Sequence, residues 1–207
     1  MLFDADFSLV NHVSSIVSSC FYHLRDLGRI RKHLSKPVAI TMANALISSR
    51  LDGVNSMLLG LPDKQLKRLQ TIQNILCRIV CRLPRRSHVT SSRKKLHWLP
   101  VKFRILFKLN TITYKILNTG YPSYLERFIT PYVCTVNTRR SNPAKKVLTE
   151  LPFKTGVYSS KKHFNSSFAY TAPNSWNGLP LHVRSAPTLA GFRRRLKAHL
   201  FALAYSP

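Results

Sequence analysis

Cationic side chains are the residues of this chain whose type and spacing could do chemistry. Residues 82–95 hold Arg82, Arg85, Arg86, Arg93, Lys94 and Lys95 among Ser, Thr and His, without an acid. Just upstream, Lys67, Thr71, Asn74, Arg78 and Arg82 recur at steps of three and four, which makes a row on one helical face. Near the C-terminus Arg193, Arg194, Arg195 and Lys197 cluster again. Such a row is often only a solvated face. Here no carboxylate interleaves to form salt bridges, and guanidinium and ammonium groups in that state are suited to phosphate oxygens. All the Lys and Arg residues just named are therefore assigned as candidate phosphate contacts, with little base readout.

The whole composition points the same way. Thirty-three Lys and Arg stand against seven Asp and Glu, giving a net charge of +26. No acid lies between Asp63 and Glu126, and none follows Glu150. This much self-repulsion is relieved by a polyanion, so RNA and/or DNA is the expected partner, with anionic membrane the weaker alternative. A small-molecule substrate is not expected. A chain of 207 residues that is 44% hydrophobic can bury a real core.

Other chemistries lack their residues. Asp4 and Asp6 are split by Ala5, where a two-metal site needs adjacent aspartates with a third nearby, and the remaining acids are scattered. There is no Gly-rich phosphate loop and no informative Ser/His/Asp spacing, so no catalytic residue and no cofactor are assigned. Cys77 and Cys81 lie one helical turn apart with His88 and His97 following, a set worth weighing for zinc. Their spacing matches no finger or knuckle pattern, and both thiols fall on or beside an apolar stripe. No metal is expected, and free thiols are. Cys20, Cys77, Cys81 and Cys134 make no disulfide framework, which implies a reducing intracellular setting, cytoplasmic and/or nuclear. The acidic start argues against a secretory signal, and no apolar run is long enough to span a membrane.

The elements that would position these cations are helical. Apolar residues recur at Val10, Val13, Val17, Cys20, Leu24 and Leu27 in steps of three and four. A second helix starts at Ser35-Lys36-Pro37, its core face expected to run Val38, Met42, Ala45 or Leu46, and Ser49. A third, capped by Asp63, turns Leu66, Leu69, Ile72, Leu76, Ile79 or Val80, and Leu83 inward. A fourth opens at Pro100 with Ile105, Leu109, Ile112 and Ile116, and stops at Gly120. Thr188 caps a last, basic helix bearing Leu189, Phe192, Leu196, Leu200 and Leu203. The expected fold is mainly α: an antiparallel helical bundle over 1–131, an extended, loop-rich wrapping segment over 132–188, and a C-terminal amphipathic helix over 189–207.

Leu96-His97-Trp98-Leu99-Pro100, followed by a helix and then by Gly120-Tyr121-Pro122-Ser123-Tyr124-Leu125, resembles the C-terminal, post-polymerase region of a LINE-type non-LTR retrotransposon reverse transcriptase, of the jockey and chicken-repeat kind. Leu46–Asp52, Leu59-Gly60-Leu61-Pro62, Trp176-Asn177-Gly178-Leu179-Pro180 and Leu196–Phe201 extend the resemblance in order along nearly the whole chain. The chain departs from its relatives at Gly53-Val54, where they carry Tyr-Cys, and at Thr90-Ser91, where they carry Thr-Pro. The resemblance implies a non-catalytic, nucleic-acid-binding piece of an RNA-directed DNA polymerase, with the parent polymerase domain as a second partner. Two alternatives stand beside it: a structural docking platform for that polymerase, or the product of a decayed element with no selected function. Trp98 and Trp176 are open to both readings, packing under a corner or stacking on a base.

Overall fold

The computed structural model describes residues 9–53, 61–131, 147–149 and 167–206. The fold is mainly α. Among the described residues the only extended pairing is an antiparallel bridge between Pro131 and Leu148, and no helix is long and apolar enough to cross a membrane. Residues cluster into two units, Met1–Arg104 and Ile105–Pro207.

In the first unit, α1 (Val10–Ile30) packs chiefly on α4 (Asp63–Cys81). Val13, Cys20, Leu24 and Leu27 are buried on α1, as are Leu69, Ile72, Leu76 and Val80 on α4. Each fully buried aliphatic side chain contributes about 1.5–3 kcal/mol, so this seam is the main support of the unit.

The face of the second helix differs from expectation. α2 (Lys36–Ala43), a π turn over Asn44–Ser48 and α3 (Ser49–Asp52) run on continuously. Together they bury Ala39, Ala43, Ile47 and Leu51, while Val38 is 47% exposed. Two physical reasons explain the shift. Alanine at Ala39 and Ala43 suits close helix approach, where a larger residue would hold the axes apart. The four positions also recur at steps of four, which drift around a regular α-helix; the wider π turn keeps Ile47 and Leu51 on the same side.

The corner at Trp98-Leu99-Pro100 is held by amides of α4. Gln73, 1% exposed, donates from Nε2 to the Leu99 carbonyl at 2.8 Å. Gln70 donates to the Gln73 side-chain oxygen at 2.9 Å, and its own oxygen accepts the Val101 N–H at 3.0 Å. One pair of glutamines thereby satisfies a buried carbonyl and an orphan donor at the start of α6 (Val101–Thr119). Arg104, in the first turn of α6, forms a bidentate ion pair with Asp52.

The second unit holds the rest of α6, then α7 (Ser123–Glu126), α8 (Phe168–Asn177), α9 (Leu181–Arg184) and α10 (Leu189–Tyr205). Its centre is aromatic. Tyr114 stacks on Phe192 with centroids 4.3 Å apart, and Trp176 lies 5.6 Å from the same ring. The Tyr114 hydroxyl donates to the Ala186 carbonyl at 2.9 Å, so its polar end is satisfied inside the core. Thr188 caps α10 as expected, its Oγ1 accepting the Gly191 N–H at 3.1 Å.

Helix α8 corrects the extended segment expected over 132–188. Pro173 lies inside it, buried with Ala169, Ala172 and Trp176. Proline removes one N–H from the ladder, and the apolar face that α8 buries compensates for that loss. Asn177 at its end pairs with both backbone groups of Leu148, accepting the N–H and donating to the carbonyl, each at 2.9 Å. The short apolar run Gly156-Val157-Tyr158, which the sequence leaves open as strand or extended loop, lies outside the described residues.

Gln73→Leu leaves the buried Leu99 carbonyl without a donor and is expected to cost about 1–3 kcal/mol in urea unfolding. On α10, burial and then the neighbouring His182 lower the His199 pKa from its usual 6.5. The unfolded imidazole therefore takes up a proton before the folded one does, and acidification through that window favours unfolding. Melting temperature should fall as pH drops from about 7.5 to 5.5, and His199→Gln should flatten that dependence.

Candidate nucleic-acid interface

The ends of α1 and α4 are tied together by two arginines. Arg31, just past α1 and 8% exposed, donates to the Val80 carbonyl on α4 from Nε at 3.1 Å and from Nη2 at 2.8 Å. Its Nη1 reaches the Leu34 carbonyl at 2.7 Å. In return Arg82, just past α4, donates to the carbonyls of Arg31 at 3.2 Å and Lys32 at 3.1 Å. Each helix supplies the cation that caps the other's C-terminus, where carbonyls lack donors and the dipole is negative.

Local backbone geometry puts Arg82 there. It takes a left-handed φ of 53°, with its own N–H on the Ile79 carbonyl at 3.1 Å and the Leu83 N–H on Arg78 at 2.9 Å. That double bond is the Schellman ending, which glycine normally fills. An arginine in this position carries a steric cost of about 1–2 kcal/mol. The strained turn aims its guanidinium back over the end of α1.

Beside this exchange lies an open groove of about 590 Å³. Arg31, Lys32, Arg78, Arg82 and Arg85 bring five cations to its lining, and no Asp or Glu is among the lining residues. Carbonyls are neutral acceptors, so the arginines they hold keep their full charge. Arg78 is positioned the same way, its Nε donating to the Ser87 carbonyl at 3.1 Å.

The residues expected from sequence do not all meet at one place. Arg78, Arg82 and Arg85 meet in the groove, joined by Arg31 and Lys32. Those two were missed, because a basic run after a helix reads as a plain C-terminal complement to the dipole. Arg86, Lys94 and Lys95 are exposed, the last two on α5 (Thr90–Lys95), a short helix within the expected basic loop. Arg93 is braced instead, donating to Asn74 at 3.0 Å. Lys67 is exposed on α4, eleven residues and about 16 Å of helix before Arg78.

Arg193, Arg194, Arg195 and Lys197 form a separate basic face on α10 in the second unit. Arg193 lies 6.0 Å from the Phe107 ring, and Arg195 donates to the His182 carbonyl at 2.7 Å. The same unit buries Arg184, whose Nε and Nη1 have no hydrogen-bond partner among the described residues. Trp98 is 7% exposed and Trp176 fully buried, so both pack and neither offers a face to a base.

The thiols are structural in character. Burial, reinforced by the Cys81 thiol, pushes Cys77 up to about 12, and burial pushes Cys20 up to about 11. Both are neutral at physiological pH, and thiolate is the form that ligates metal. Among the described residues no three His, Cys, Asp or Glu side chains converge on a point that could hold a metal ion.

No protein-family model, curated protein or solved structure matches the chain. The functional reading therefore stands on these side chains and their surroundings.

Arg31→Met should strip the Val80 and Leu34 carbonyls of their donor and cost about 1–3 kcal/mol in chemical unfolding. Lys32→Gln, which removes one exposed charge from the same groove, should stay within about 0.5 kcal/mol of the parent.

Proposed function

We propose that this chain is a non-catalytic nucleic-acid-binding piece of a retrotransposon RNA-directed DNA polymerase, gripping template RNA or an RNA–DNA hybrid by its phosphates. One observation carries the binding part of this reading: five cations line one groove with no acid among them, and three of these, Arg31, Arg78 and Arg82, are held by backbone carbonyls. A net charge of +26 supplies the long-range attraction. The polymerase parentage is supported by the ordered resemblance from Leu46 to Phe201 around the Leu96–Pro100 corner. In that setting the chemistry belongs to the polymerase, and this piece holds the substrate near it.

A docking platform would need one continuous apolar face. The exposed apolar residues of α1 are Val10, Phe21, Tyr22 and Ile30. At 100° per residue, Val10 and Phe21 fall within about 20° of each other, while Ile30 lies about 160° from Val10 and Tyr22 about 120°. On α1 they form no shared stripe, and α2 adds the single exposed Val38, which favours the phosphate-binding reading.

Binding to a short duplex, followed by fluorescence anisotropy across a salt series, tests the proposal. If about six phosphates are neutralised, log affinity falls against log salt with a slope of about −5. Changing Arg85, Arg86, Lys94 and Lys95 together to Gln should reduce that slope to about −2 without altering the melting temperature, since all four are exposed. Affinity indifferent to salt, or no binding at low salt, would refute it.

A further inference from the structure

Four of the nine residues that line the groove have no use for phosphate. Ile75, Ile79 and Leu83 are half-buried along it, and Gly28 contributes no side chain at all. Phosphate oxygens gain nothing from aliphatic carbon, and an intact duplex keeps its bases stacked and out of reach. An unpaired nucleotide is different. It presents a phosphate and an apolar base face together, which match a cationic lining joined to an aliphatic one. The volume of about 590 Å³ lies within the usual range of small-ligand sites. Exposed guanidinium groups at Arg82 and Arg85 also offer flat surfaces on which a base can lie.

Gly28 sharpens the argument. It sits in the last turns of α1, where glycine is less favourable than alanine. Its φ is not left-handed, and a Cβ built there would meet only the Ile79 Cδ1 at 3.9 Å, an ordinary contact. Neither turn geometry nor close packing requires glycine at this point. What its missing side chain does is leave the groove open.

We infer that the groove between the ends of α1 and α4 is a seat for single-stranded nucleic acid, taking one unpaired nucleotide with its base on the aliphatic lining and its phosphate on the arginines. This rests on the nucleic-acid reading above and narrows it to unpaired strands at this one site. RNA and DNA share the required chemistry, and the contacts named here do not use the 2′-hydroxyl.

The test compares the full chain and its Gly28→Leu variant against three probes: an unstructured 12-nucleotide RNA, the DNA of the same sequence, and a 12-base-pair DNA duplex. The substitution adds bulk inside the groove and changes no charge. Single-strand affinity should fall about tenfold while duplex affinity stays within about twofold, and Gly28→Ala should behave nearly as the parent. A larger effect on the RNA than on the DNA would identify RNA as the occupant, and equal effects would identify either strand. Equal binding of single strand and duplex by the parent, with no response to Gly28→Leu, overturns the inference while leaving the broader reading intact. Failure to bind any of the three probes at low salt overturns both, as does tighter binding to phosphatidylserine vesicles than to any oligonucleotide. Photocrosslinking of 4-thiouridine RNA to the parent chain gives a readout that no variant's folding can confuse. Adducts should map to peptides containing Gly28, Ile79 or Leu83, and adducts confined to α5 or α10 would refute the site.

Discussion

Backbone carbonyls at two helix ends, in place of carboxylates, hold the arginines on which the first unit depends. A buried guanidinium is costly unless every N–H is satisfied. With seven acids to thirty-three Lys and Arg, the chain has few carboxylates to offer. The C-terminal turns of α1 and α4 provide the substitute, because each leaves carbonyls unpaired and a partial negative charge exposed. By exchanging Arg31 and Arg82, the two ends solve both deficits at once. The α1–α4 seam brings the two ends together, and the strained turn at Arg82 and the groove beside it accompany that exchange.

The corner at Leu99 follows the same logic with neutral groups. Gln73 is buried on α4 among Leu69, Ile72 and Leu76, and half-buried Gln70 lies beside it. Their amides do for a loop carbonyl and a helix N-terminus what Arg31 does for a helix C-terminus. Trp98 is buried at this corner, so the stretch Leu96–Pro100 is architectural. It fixes where α6 begins and brings Arg104 to Asp52.

Much of this was legible in the residues. The helices α1, α4, α6 and α10 were evident from apolar spacing, and Gly120 and Thr188 mark helix ends as expected. The row from Lys67 to Arg78 also falls on a single helical face. Periodicity fails where packing prefers small residues, and it therefore placed Val38 inward when Ala39 is the buried one. It fails again at α8, where Pro173 and a Ser/Asn-rich texture read as loop although Ala169, Ala172 and Trp176 form a helical face. The groove itself could not be read, since Arg31 and Arg82 are fifty-one residues apart and their meeting depends on the α1–α4 seam.

Carbonyl capping has a consequence for how the interface can be controlled. A guanidinium stays protonated at any pH a cell reaches, and a carbonyl does not titrate. Had carboxylates done the holding, acidification through about pH 4 would release the arginines and alter the local charge. Built from Arg31, Arg78, Arg82 and backbone oxygen, this surface holds its cations without a carboxylate. On the proposed reading its occupancy would answer to counterions and to rival polyanions, an electrostatic balance set by ionic competition.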